Sequence, residues 1–175
     1  VFKDFIPSGP DRARIVAELY PTYGAYLKGG FLSHLAGKVF VRTGLPNMHL
    51  RIHNVFQKGD MLACHDAATG ISLAHAHAKS WDDWIGAYRY RVTKGSYRPE
   101  LRPNRPYDQG GLSLNDLFSM IEDESGEVGL RRFFDEVCAD TPQLRARLRS
   151  HGLLREVDLG LSDHLATHFP RFTAP

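Results

Sequence analysis

Leu73-Ala74-His75-Ala76-His77-Ala78-Lys79-Ser80 is the stretch on which the reading of the fold turns. Its first part alternates. On a strand, residues two apart point the same way, so His75 and His77 would present both imidazoles to one face. The alanines at 74, 76 and 78 keep the opposite face small enough for another element to approach closely. Ser80 is a favoured helix N-cap, and Asp82 and Asp83 follow in the turn where the helix dipole favours acids. Trp81, Trp84, Ile85 and Tyr88 then recur at helical spacing. The run predicts a strand over residues 71–78 that passes directly into a helix. Two imidazoles side by side can share a divalent metal or a phosphate, and free N–H groups at a helix start favour an anion. Two hydrogen-bonded histidines at a strand end would carry the same pattern.

Upstream, strand patterns dominate. Six of the nine histidines fall between residues 31 and 95: His34, His49, His53, His65, His75 and His77. Residues 38–42 alternate, with Lys38, Phe40 and Arg42 on one face and Val39 and Val41 on the other. Residues 49–56 alternate too, placing His49, Arg51 and His53 together, and Lys58-Gly59-Asp60 reads as a hairpin turn. Gly29 and Gly30 permit close backbone approach, while His34, Lys38 and Arg42 beyond them are groups fit to hold a phosphate or a sugar hydroxyl. An ordinary turn leading into an edge strand with solvated charges fits those residues equally. His65-Asp66 is an adjacent pair in a predicted loop. Before all this, residues 11–19 predict a short helix stopped by Pro21.

Downstream, a Pro/Arg-rich connector over residues 99–111 divides residues 1–98, strand-rich over roughly 31–95, from a predicted helical unit, residues 112–175. Ser113 and Asp116 offer an approximate capping box. Leu130, Phe133, Phe134 and Val137 make an apolar helical stripe. Thr141-Pro142 opens another helix, and Gly152 suits its end. No chemistry is read in this unit. Across the connector, Arg89, Arg91, Lys94, Arg98, Arg102 and Arg105 interleave with Tyr88, Tyr90, Tyr97 and Tyr107. Such a run suits single-stranded nucleic acid, sugar stacking, a pyrophosphate or a solvated helix face.

Composition narrows these choices. The 175 residues are 42% hydrophobic and 24% charged, the balance of a soluble globular domain. A net charge of only +2 argues against nucleic acid as the partner. No apolar run approaches the roughly 18 residues that cross a bilayer, and Lys3 and Asp4 break any leader pattern at once. Cys64 and Cys138 lack the spacing of a zinc or redox pair, which fits reduced thiols in the cytoplasm. Val1 and the apolar fragment after it read as the end of a strand, as in a piece of a longer protein.

Several blocks in order carry a family likeness: 30–38 with its closing Gly37-Lys38, then Arg42, then Leu50-Arg51-Ile52-His53, then 73–80, then Lys94-Gly95-Ser96-Tyr97-Arg98. Together they resemble the C-terminal half of bacterial family-2-like glycosyltransferases, over most of residues 22–155. The resemblance implies an α/β fold, here an α+β fragment: the C-terminal part of a GT-A-like fold, a short mixed sheet followed by a helical tail. It implies a nucleotide-sugar donor and a carbohydrate or lipid-linked acceptor. It also implies a divalent metal, manganese or magnesium, with His75 or His77 completing its shell. By the same resemblance His34, Lys38, Arg42, His53, Ser80 and Arg98 belong to the substrate and diphosphate side. The family's DxD motif is missing from these residues; Asp82-Asp83 is adjacent rather than spaced. The resemblance therefore places the donor half upstream and makes this fragment inactive alone, and no catalytic base is identified. Two other readings compete: a metal-dependent hydrolase using the histidines, and a non-catalytic carbohydrate- or phosphate-binding module.

Overall fold

The computed structural model describes residues 2–32, 37–63, 73–75, 77–103 and 106–171. It is an α+β arrangement, with five helices and two small antiparallel sheets among those residues. The first sheet joins distant parts of the chain: β1 (Phe2–Lys3) pairs with β5 (Leu154–Arg155). Asp4 reinforces that seam, its N–H donating to the Leu153 carbonyl and its carboxylate meeting Arg155 at 2.6 Å. The second sheet is a meander of β2 (Met48–Leu50), β3 (Val55–Gln57) and β4 (Asp60–Met61).

The helices do most of the packing. Helix α1 (Arg12–Leu19) buries Val16 and Leu19, and α2 (Trp81–Thr93) buries Trp84 and Tyr88. Helix α3 (Leu114–Val137) begins with the full capping box anticipated at Ser113 and Asp116. It breaks at Gly126, whose φ of 56° and ψ of −143° lie outside the helical region; the first half buries Leu117, Phe118 and Ile121, and the second buries the stripe from Leu130 to Val137 read from sequence. Helix α4 (Pro142–Ser150) is capped by Thr141 as expected, and Gly152 follows its end at φ 67°. Helix α5 (Leu161–His168) buries none of its residues.

The core is aromatic. Trp84 lies at its centre, with Phe118 at 5.9 Å, Phe133 at 6.1 Å and Tyr88 at 5.3 Å between ring centroids. Tyr97 packs on Phe118 at 4.9 Å. Buried residues from both sides of the 99–111 connector belong to this one cluster, from Ile6 to Leu153. Burying such rings is worth roughly 2–3 kcal/mol each in transfer terms, which makes this cluster the main support of the fold. A turn at Gly29-Gly30 closes over it: a Cβ on Gly30 would come within 3.2 Å of the Tyr20 ring, and its φ is already +80°.

Three strand expectations need correcting. Residues 38–42 form no strand, and their side chains stand exposed or half-buried. The alternating run 49–56 is cut by a reversal at 51–54, where the Arg51 N–H donates to the Asn54 carbonyl at 2.9 Å. His49 therefore lies opposite Phe56, and His49, Arg51 and His53 share no strand face. The described residues of 71–78 are not a strand either. The His77 N–H donates to the His75 carbonyl at 3.1 Å, a tight local turn. The common cause is that alternation specifies a strand only when a neighbour supplies the ladder. The Lys58-Gly59 turn did form, with both residues at positive φ, joining β3 to β4.

Candidate functional site

Ser80 caps α2 as its residue type anticipates. Its hydroxyl accepts the Asp83 N–H at 3.1 Å, and Lys79 pairs with Asp83 at 3.5 Å. The helix start thus satisfies itself and is lined by acids rather than aimed at a ligand. His77 itself lies against the flank of α2. There Arg91, in the helix's last turn, donates from Nη2 to the His77 carbonyl at 3.2 Å.

His77 is held firmly. Its Nε2 lies 2.8 Å from the Tyr97 hydroxyl, whose oxygen also accepts the Trp84 indole N–H at 3.3 Å. Whichever partner carries the shared proton, Nδ1 remains outside that bond. Burial pulls the His77 pKa down to about 4, helped by the Arg91 guanidinium and the neighbouring His75 and Lys3, so the ring is neutral at pH 7. His75 is exposed, its ring 5.8 Å from that of His77.

Behind His77 sits a group of side chains that no motif announced. The Lys3 amine donates to the Tyr20 hydroxyl at 2.8 Å and to the Val137 carbonyl at 2.9 Å. Burial lowers its pKa to about 8. Cys138 lies within electrostatic reach of both Lys3 and Arg91, yet burial still drives its thiol up to about 12. Tyr97 is likewise raised to about 12 by burial. Arg91 Nη1 is buried without a hydrogen-bond partner. The charges acting on His77 are all positive.

The remaining sequence candidates are dispersed. His34 lies outside the described residues, as do Cys64, His65 and Asp66. His53 is half-buried and donates from Nδ1 to the Gly37 carbonyl at 2.6 Å, which ties it to the segment carrying Lys38. Lys38 and Arg42 are exposed. Arg98 is exposed too, facing Glu100 at 3.6 Å. The basic run scatters as its helical part requires: Arg89 pairs with Glu122 at 2.7 Å while Arg91 turns inward to His77.

The fit to a divalent metal is poor. Among the described residues no group of three or more His, Cys, Asp or Glu side chains is placed to hold one. The two imidazoles that approach each other sit in cationic surroundings, which repel a metal ion and attract an anion. Lys3, Tyr97 and Cys138 were missed in sequence because three separated segments bring them together. Only Tyr97 had a signal, its place in the basic-aromatic run.

Comparison of the chain with protein-family models, with curated proteins and with solved structures finds no match. Among the described residues no helix is long and apolar enough to cross a membrane.

Proposed function

We propose that this chain is the acceptor- and diphosphate-side part of a cytoplasmic, nucleotide-sugar-dependent glycosyltransferase of the family-2-like kind, on a GT-A-like fold. The observation that carries the reading is the setting of His75 and His77, with Arg91 bonded to the His77 carbonyl and Lys3 nearby, and among the described residues no acid acting on His77. The order of sequence blocks described above supports it independently. In this role the exposed His75 faces the donor diphosphate, and the Arg91 guanidinium behind it adds positive potential that offsets the charge growing there as the sugar leaves. Neutral His77, fixed by Tyr97, supplies a positioned imidazole rather than a second full charge. Ser80 secures α2 and thereby the place of Arg91. The acceptor is a carbohydrate or a lipid-linked sugar, and the DxD carboxylates and any manganese or magnesium they hold belong to residues beyond these 175.

A non-catalytic phosphate-binding module is the second reading, favoured by the lack of a placed carboxylate beside His77. A metal-dependent hydrolase has less support, since among the described residues no third ligand stands beside the two imidazoles. Calorimetric titration with UDP, GDP and inorganic phosphate, each with and without manganese, separates these. The transferase reading expects nucleoside diphosphate binding that exceeds phosphate binding and weakens in His75→Ala. Equal affinity for phosphate and nucleotide would favour the module, and nucleotide-independent zinc binding would favour the hydrolase.

A further inference from the structure

The segment 37–63 differs from the rest of the surface. It carries Lys38, Arg42, Arg51 and Lys58 against the single acid Asp60, a net charge of +3, whereas the entire chain carries +2. Large apolar side chains stand among these bases in full view of solvent: Phe40 is 76% exposed, Ile52 72%, Met61 62% and Leu50 58%. So many exposed apolar side chains among bases in one segment mark an interaction surface.

The sheet register says what kind of surface it is. Leu50 lies opposite Val55 on one face of the meander, while Phe56 lies opposite both His49 and Met61 on the other. Exposed apolar groups therefore project from both faces, from the reversal at Ile52 and from the preceding stretch at Phe40. A folded protein partner covers one face of a ribbon. A headgroup layer surrounds an inserted edge from every side. The bases are placed for that arrangement: Phe40 stands between Lys38 and Arg42, Ile52 follows Arg51, and Arg51 lies 4.7 Å over the Phe56 ring. Long basic side chains can reach lipid phosphates while their apolar neighbours sink past them.

We propose that the 37–63 segment docks the protein on an anionic lipid surface, with Phe40 and Ile52 entering the interfacial layer and the four bases meeting phosphates. The proposal rests on this surface alone and stands whether or not the chain transfers sugars.

Sedimentation with vesicles tests it. Phosphatidylcholine vesicles are compared with vesicles in which about a third of the lipid is phosphatidylglycerol. The expected result is roughly ten-fold or greater enrichment on the anionic vesicles, falling with added salt. The double variant Phe40→Glu, Ile52→Glu should lose that binding while keeping the wild-type circular dichroism spectrum, because both side chains are already in solvent. Val128→Glu, which alters another exposed apolar residue, on α3, should bind like the wild type. Failure to sediment with anionic vesicles would overturn the proposal. So would loss of vesicle binding in Val128→Glu alone, or a Phe40- and Ile52-dependent self-association that explains the exposed surface without lipid.

Discussion

His77 and Tyr97, twenty residues apart, meet at 2.8 Å beside α2, the helix that lies between them in the chain. The Tyr97 oxygen also serves Trp84, at the centre of the core, so one hydroxyl couples the candidate site to the main packing cluster.

Removing that hydroxyl should be felt in both places. Tyr97→Phe leaves the ring packing on Phe118 but strands the Trp84 N–H and the His77 Nε2. A loss of about 1–3 kcal/mol is expected, from the penalty of a buried polar group without a partner. Urea unfolding with an unchanged m-value would register it. An unaltered midpoint would mean that this bond contributes nothing net.

Lys3 makes the folded protein sensitive to pH in a calculable direction. Its amine is shifted from an ordinary 10.5 to about 8, first because burial penalises the charge. Between these two values the unfolded chain holds a proton that the folded chain has released. Stability therefore rises with pH across the window, relative to a chain without the amine. Tyr20, Val137, Cys138 and His77 face the same amine, and Cys138 pulls the other way as its unfolded thiol ionises. Comparison with Lys3→Met cancels that contribution. Wild type should gain on the order of 2–3 kcal/mol over the variant between pH 8 and 10.5, read from denaturant midpoints. A flat difference would show that the amine is not held where it is described.

Gly126 and Gly129 should fail for opposite reasons. At Gly126 a Cβ meets nothing within 4 Å, but the backbone conformation is one that other residues rarely adopt. Gly126→Ala should cost about 1–3 kcal/mol through backbone strain. Gly129 has helical backbone, yet a Cβ there would lie 2.7 Å from Ile121 Cγ2. Gly129→Ala should cost a similar amount by overpacking, and Ile121→Ala, which removes Cγ2, should relieve part of the crowding. Thermal melts of the two single variants and the double variant distinguish strain from crowding.

Ser80 should prove to be a helix cap. Ser80→Ala removes the acceptor of the Asp83 N–H and should lower stability by about 1 kcal/mol, whereas Ser80→Asn should restore most of it. If Ser80 instead touches the diphosphate, nucleotide affinity would fall in Ser80→Asn with stability intact.

Local chemistry was legible in the sequence wherever it is settled within a few residues. Ser80, Ser113 and Thr141 each accept a backbone N–H three residues on, the Lys58-Gly59 turn formed, and the stripe from Leu130 to Val137 faces the core. These outcomes depend on hydroxyls, backbone dihedrals and helical periodicity, all of which act at short range. No strand forms at 38–42 or over the described residues of 71–78, because a strand needs a partner that its own residues cannot specify.

The His75–Ser80 run, read as a strand aimed into a helix mouth, shows the same division. Its cap and its helix were fixed by its own residues. Tertiary structure alone decided where His77 lies, because Arg91 and Tyr97 capture it beside α2. It alone set Lys3 and Cys138 behind that ring from opposite ends of the chain, since burial and charge at a point depend on everything packed around it.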